Sequence, residues 1–98
     1  MVIVEGSFEL EPDDRDAFLA SRLAMMRVSR AEPGCIEYTF SADPLDPGRV
    51  VLFERWESQA ALDAHVESLR ARPAPPAGVA PKASSITVYD VVGARQLA

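Results

Sequence analysis

Apolar and polar residues alternate over the first ten positions of the chain. The even positions share one face of an extended chain, and they are Val2, Val4, Gly6, Phe8 and Leu10. Most of the odd positions between them are polar. Because successive side chains of a strand point to opposite faces, this pattern predicts a first strand with one buried face.

A helical pattern follows the first strand. A proline and two aspartates at 12–14 suit the first turn of a helix, where proline loses no hydrogen bond and acidic groups face the positive end of the helix dipole. Apolar residues then recur at helical spacing, at Phe18, Leu19, Leu23, Met26 and Ala31. The pattern predicts one helix over about 13–31, which the Pro-Gly pair at 33–34 ends.

Two further strands are predicted at 35–41 and 50–56. In the first of them, Ile36, Tyr38 and Phe40 alternate with polar residues and are expected to share one face. The segment 43–48 between the strands is rich in Asp, Pro and Gly, which is typical of a turn. The two strands are therefore expected to form a hairpin.

A second helix is predicted after Ser58, which is a favourable N-cap residue. Its apolar stripe consists of Ala61, Leu62, His65, Val66 and Leu69. Pro73 is expected to end this helix, because the residue before a proline avoids helical geometry. Residues 73–85 contain four prolines and are expected to be irregular, followed by a last strand at 86–92 and a tail at 94–98.

The predicted order of elements is βαββαβ, within a single domain over residues 1–98. Two interleaved right-handed βαβ units give a ferredoxin-like α+β fold, with a four-stranded antiparallel sheet and both helices on one face. This arrangement leaves the other face of the sheet uncovered. A homodimer that pairs two chains through the sheet face would cover it.

Composition excludes several classes of function. One Cys cannot form a disulfide within the chain, and one Cys with one His does not make a metal site of the usual spacing. The net charge of −5 and the absence of a basic cluster disfavour binding to nucleic acid or to an anionic membrane surface. We expect a cytoplasmic protein, without a signal peptide or membrane span, that binds a small neutral or apolar ligand.

Two motifs resemble the antibiotic biosynthesis monooxygenase (ABM) domain family. Residues 32–38 read EPGCIEY, and residues 54–58 read ERWES, followed by Ala61-Leu62 and His65. The resemblance covers roughly residues 2–69 and the last strand. It implies a dimeric α/β barrel in which each subunit encloses a pocket between its sheet and its helices. Family members include cofactor-free monooxygenases of anthrones and quinols, haem-degrading enzymes and an isomerase of a sugar phosphate.

The haem-degrading branch differs from this chain in three places. Those enzymes carry an Asn on the first strand, a Trp near the position of His65, and a haem-ligating His further along the chain. Here the first strand has no Asn, and residues 66–98 contain no His. The resemblance therefore favours the quinol monooxygenase type, which uses no cofactor and no metal.

Cofactor-free oxygenation of an aromatic compound by O₂ requires a base, donors that hold the substrate anion, and a dry pocket. Histidine side chains titrate near neutral pH, so His65 is the candidate catalytic base. Tyr38 and Arg22 could hold an oxygen of the substrate. We expect the substrate pocket to be formed by Trp56, Tyr38, Arg22, Met26 and Phe40.

Each of these residues also has a structural interpretation. A single His on an apolar helix face is often a hydrogen-bonded core residue, and the tryptophan and tyrosine would suit a core or a dimer interface. Glu54 shares a strand face with Trp56, and we expect it to form an ion pair with Arg22 or Arg55.

Two other functions stay open at the level of the sequence. A non-catalytic ligand-binding or dimerising module would have its cavity filled by Phe40, Phe53 and Met26, with His65 bonded to backbone. An isomerase of a small phosphorylated metabolite would require two or more arginines near His65. The first helix carries four arginines, so the sequence allows this.

Overall fold

A computed structural model describes residues 1–72 and 78–98 of the chain. It contains four strands, three α-helices and one 3₁₀ turn at Pro12–Asp14. The strands are β1 (Val2–Glu9), β2 (Cys35–Ala42), β3 (Arg49–Trp56) and β4 (Ala83–Asp90). The helices are α1 (Arg15–Ser21), α2 (Leu23–Arg30) and α3 (Gln59–Ala71).

The strands form one antiparallel sheet in the order β2-β3-β1-β4. Residues at even positions of β1 are buried against the helices, as the alternating pattern predicts. On this face Val4 lies beside Glu54 of β3 and beside Val88 of β4. The predicted ferredoxin-like fold is confirmed, because β1 is central and the helices cover one face of the sheet.

The single helix predicted over 13–31 is interrupted at Arg22. Its backbone has φ −96° and ψ −7°, which lies in the bridge region rather than the helical one. The amide of Arg22 donates to the carbonyl of Leu19 at 3.0 Å, so the turn tightens there before α2 begins. Arg22 therefore stands at the junction of two short helices.

The prediction that Ile36 shares a face with Tyr38 and Phe40 is wrong. The pairing of β2 with β3 shifts by one residue between Cys35 and Glu37. Such a bulge adds a residue to one strand and moves that residue out of the alternation. Ile36 is accordingly 44% exposed, whereas Tyr38 and Phe40 are buried.

The last strand begins earlier than predicted, at Ala83, so only part of the 73–85 segment is irregular. Residues 73–77 of that segment lie outside the described residues. Every side chain of β4 is exposed, although β4 pairs with β1 along its whole length. The helices cover the other three strands more closely, and Ile86 and Val88 of β4 stay about half exposed on the helix side of the sheet.

The face of the sheet opposite the helices carries exposed aromatic residues. Phe53 of β3 is 38% exposed, and Tyr89 of β4 is also exposed. The predicted homodimer through this face stays a prediction. Among residues 1–72 and 78–98, no helix has both the length and the apolar composition that crossing a membrane requires.

Candidate functional site

A cavity of about 340 Å³ lies between the helices and the covered face of the sheet. Its volume falls in the range of small-molecule sites, near the lower end. Most of its wall is apolar, and four lining residues carry polar groups, namely Arg22, Tyr38, Glu54 and His65. The apolar wall consists of Val4, Phe8, Met25, Phe40, Leu52, Leu62, Val66, Leu69, Ile86 and Val88.

The start of α3 fixes the direction in which His65 points. The Ser58 hydroxyl accepts a hydrogen bond from the amide of Ala61 at 3.1 Å, which satisfies one free donor of the first turn. Residues spaced by three or four positions then share one helix face. This face brings Leu62, His65 and Leu69 to the cavity together.

The turn before β2 packs tightly against the start of α3 because residue 34 is glycine. Gly34 has φ +82°, and an added Cβ would lie 2.5 Å from the Cβ of Ala61. Its carbonyl accepts from the amide of Glu57 at 2.8 Å. This close approach places the neighbouring Glu32 beside His65, and Glu32 Oε1 lies 2.7 Å from His65 Nδ1.

The contact with Glu32 sets the tautomer of His65. A carboxylate only accepts hydrogen bonds, so Nδ1 of His65 donates to it and the lone pair of the neutral ring is on Nε2. Nε2 lies 3.9 Å from Oε1 of Glu54. His65 is only 2% exposed, so both of its ring nitrogens are shielded from bulk water.

Glu54 is a buried carboxyl group on the same strand face as Trp56. The indole Nε1 of Trp56 donates to Glu54 Oε1 at 2.9 Å. Burial raises the pKa of Glu54, although the Trp56 donor and the charge of His65 oppose this rise. The predicted ion pair with Arg22 or Arg55 is wrong. Among the described residues neither arginine lies within 4.0 Å of a Glu54 oxygen, and Arg55, on the opposite face, lies 4.0 Å from Glu37.

Tyr38 presents a hydroxyl donor at the cavity. Burial raises the pKa of Tyr38, and the negative charge of Glu54 raises it further, so the phenol stays protonated at neutral pH. Its hydroxyl donates to the sulfur of Met25 at 3.2 Å. Thioether sulfur is a weak acceptor, so a ligand oxygen would be a stronger partner for this proton.

Four of the six residues predicted for the site line the cavity. They are His65, Tyr38, Arg22 and Phe40. Trp56 is fully buried and is not part of the cavity wall, but its ring packs on the His65 ring with centroids 4.7 Å apart. Trp56 therefore packs against the His65 ring from the side away from the cavity wall and supports its position.

Met26 is also absent from the cavity wall, and Met25 takes that place. In α2 the buried Ser29 follows Met25 by four positions, and Arg22 precedes it by three. This spacing puts the three residues on one helix face. Met26 lies to the side, where it packs partly buried against the core.

Sequence reasoning did not assign a site role to Glu32 or to the apolar residues of β4. The contact between Glu32 and His65 spans 33 positions, so no local periodicity could reveal it. Within residues 1–72 and 78–98, no group of three or more His, Cys, Asp or Glu side chains could hold a metal ion.

Comparison with known proteins gives a consistent result. A family model described as antibiotic biosynthesis monooxygenase matches residues 1–74. The chain is 44% identical over 64 residues to Rv0793, a candidate monooxygenase of Mycobacterium tuberculosis, and the match covers 65% of this chain and 62% of that protein. It is 36% identical over 67 residues to sll1783 of Synechocystis, with 68% of this chain and 46% of that protein covered. The chain thus spans between 46% and 62% of the length of these two relatives.

Solved structures extend the likeness over nearly the whole chain. The structure of Rv0793 has a TM-score of 0.71 and 32% identity, covering 97% of this chain and 98% of that one. A candidate antibiotic biosynthesis monooxygenase from Deinococcus radiodurans has a TM-score of 0.79 at 20% identity, with 100% and 99% covered. The heme degrader MhuD of M. tuberculosis, with two hemes bound in its active site, has a TM-score of 0.70 at 16% identity, with 98% and 100% covered. At such identities the last two show the fold alone.

Proposed function

Because the chain belongs to the antibiotic biosynthesis monooxygenase family, we propose that it is a cofactor-independent monooxygenase of a small aromatic quinol or anthrone. The observation that carries this proposal is the apolar cavity with a buried histidine in its wall, whose Nδ1 is bonded to a carboxylate. The monooxygenase named among its relatives supports the same class of reaction.

The proposed reaction is balanced without an added reductant. An anthrone loses a proton from its methylene carbon, and the resulting anion passes an electron to O₂. One oxygen atom then forms the new carbonyl group, and the other leaves as water with the two hydrogens of that carbon. The substrate supplies all the electrons, so the protein has to supply only a base, hydrogen-bond donors and a dry site.

The geometry supports distinct roles for three side chains. Nε2 of His65 accepts the substrate proton, and Glu32 is a positioning residue that holds Nδ1–H and stabilises the resulting cation. Glu54, 3.9 Å from Nε2, adds negative charge on the other side of the ring when it is ionised. Tyr38 donates to the substrate anion in place of its bond to sulfur.

The two other functions fit the geometry less well. A non-catalytic module would have a filled cavity, but the cavity is open and Phe53 lies on the opposite face of the sheet. An isomerase of a phosphorylated metabolite would need two arginines beside the histidine. Among the cavity-lining residues that the structure describes, Arg22 is the one arginine. Homodimerisation and a cytoplasmic location remain part of the proposal.

Oxygen consumption with a panel of quinols and anthrones tests the proposal. The spontaneous rate without protein is subtracted in each case. We expect His65→Gln to lower kcat/KM by about 10²–10⁴-fold, which is the usual contribution of a general base. Glu32→Gln should lower kcat/KM by a smaller factor. It should also shift the pH profile of kcat, because it changes the hydrogen bond at Nδ1 of His65 and keeps the histidine itself.

Glu67→Gln is the matched control, because this exposed glutamate lies on α3 two residues after His65. Its activity should equal that of the wild type. Oxygen uptake by His65→Gln equal to the wild type on every active substrate would remove the histidine from the mechanism. If wild-type protein does not exceed the spontaneous rate on any member of the panel, the monooxygenase proposal is wrong.

A further inference from the structure

Arg22 is placed beside two aromatic rings at the wall of the cavity. Its guanidinium lies over the ring of Phe18 at 4.5 Å and is 6.0 Å from the ring centre of Phe40. Stacking on an aromatic face holds the planar guanidinium in place while its N–H edge stays available for an acceptor. The arginine is half-buried, so its position is largely fixed by packing.

Other arginines of the chain use their donors inside the protein. Arg15 and Arg30 donate to backbone carbonyls, and Arg49 pairs with an aspartate. In the part of the chain that the structure describes, Arg22 has no carboxylate oxygen within 4.0 Å. Residues 73–77 are proline and alanine, so they add no acidic side chain.

The location of Arg22 suits an anion near water. Arg22, Met25 and Leu69 line this cavity, and they also line a neighbouring groove of about 380 Å³ between α2 and the end of α3. Arg72 contributes a second positive charge to this groove. A charged group on the ligand could therefore lie beside Arg22, in the wall shared by the cavity and the groove, while its aromatic ring enters the apolar cavity, which avoids the cost of burying an unpaired charge.

We propose that the natural substrate is an aromatic compound with a carboxylate substituent, and that Arg22 selects it by pairing with this carboxylate. The inference rests on the proposed function, because it uses the same cavity. It revises the expectation of a neutral ligand, which came from the net charge of −5. The net charge acts over the whole surface, whereas recognition depends on the charge within a few ångströms of the ligand.

Calorimetric titration with two probes of the same shape tests this selection. The probes are 6-hydroxy-2-naphthoate and its neutral carboxamide, and binding is measured without oxygen. Wild-type protein should bind the carboxylate at least about tenfold more tightly, because only the carboxylate adds an opposite charge to the hydrogen bonds that the guanidinium donates. Arg22→Gln should bind the two probes about equally.

Two variants serve as controls. Arg22→Lys keeps the charge and should keep part of the preference, which separates loss of charge from loss of fold. Arg27→Gln removes an exposed arginine of α2 and should keep the full preference. The inference is overturned if wild-type protein binds neither probe, if it shows no preference, or if the preference survives in Arg22→Gln.

The titration and the oxygen assay can fail separately. His65→Gln should keep the preference for the carboxylate, because it removes the base and not the cation. A preference that depends on Arg22, without any oxygen uptake, would contradict the monooxygenase proposal alone. Oxygen uptake without a preference for the carboxylate would contradict the role of Arg22 alone.

Discussion

Strands β3 and β4 flank the same central strand and differ completely in burial. Both pair with β1 from Val2 to Glu9 in antiparallel register. In β3, alternate side chains are buried, from Val50 to Trp56. In β4, all eight side chains are exposed. Equal backbone pairing therefore does not give equal burial, which depends on what packs on the face of the sheet.

The polar groups of the candidate site lie where the helices cover the sheet. Glu54 and Trp56 of β3 meet His65 of α3 under the helices, where burial and hydrogen bonds fix their positions. The uncovered strand supplies apolar wall, with Ile86 and Val88 lining the cavity while half of their surface is exposed. A reacting group needs a rigid, dry setting, whereas an apolar wall can be completed by a ligand or by a second chain.

The largest expected effect comes from the tight turn at Gly34, which packs against the start of α3 and places Glu32 beside His65. Gly34→Ala should destabilise the protein by about 2–4 kcal/mol, because alanine is strained at positive φ and its Cβ meets that of Ala61. Chemical denaturation measures this change. Ala61→Gly added to Gly34→Ala removes the clash and should recover part of the loss, and no recovery would contradict the steric account.

The same substitution on the two strands tests the comparison directly. Val50→Ala removes two methyl groups from a fully buried position and should cost about 2–3 kcal/mol. Val88→Ala acts on a side chain that is 48% exposed and should cost about 1 kcal/mol or less. Denaturation curves of the two variants measure the difference. Equal losses would show that β4 is covered in solution, for instance by another chain.

The next largest expected effect is a weaker dimer when the outer face of the sheet is changed. Phe53→Glu puts a charge in the centre of that face and should raise the dimer dissociation constant at least about tenfold, or ~1.4 kcal/mol. Sedimentation at several concentrations measures it. Leu45→Glu is the control, since it makes the same change in charge at an exposed loop position. A dimer that both variants leave intact would exclude this face as the interface.

The smallest expected effect concerns the pH dependence of stability in the covered region. Burial raises the pKa of Glu54 above its ordinary value of 4.5, so the folded state holds this proton more tightly than the unfolded state. The contribution of Glu54 to stability is then highest below pH 4.5 and falls as the pH rises through the folded pKa. Glu54→Gln keeps an oxygen for Trp56 and should flatten the profile in this range.

Thermal melts between pH 4.5 and 7 measure the two profiles. Wild type should lose stability relative to Glu54→Gln as the pH rises. Glu5→Gln, which changes an exposed glutamate of β1, should follow the wild type. Parallel profiles for wild type and Glu54→Gln would contradict a raised pKa.

Much of the fold could be predicted because its signals are local. The alternation in β1, the N-cap at Ser58 and the position of α3 all agree with the structure. The break at Arg22 and the bulge beside Ile36 could not be read from periodicity. Each is an irregularity at a single residue, and packing against the rest of the protein determines where it occurs.

The candidate site likewise has features that the sequence could predict and features that it could not. The sequence by itself determined that His65 is the one histidine, that it lies on an apolar helix face, and that two motifs of the family precede it. The tertiary structure decided that Glu32 bonds to its Nδ1, that Glu54 lies near its Nε2, and that Arg22 lines both the cavity and the groove beside it. The physical reason is distance along the chain. Periodicity reports neighbours within a helix or strand, whereas the partners of a buried charge come from segments that only folding brings together.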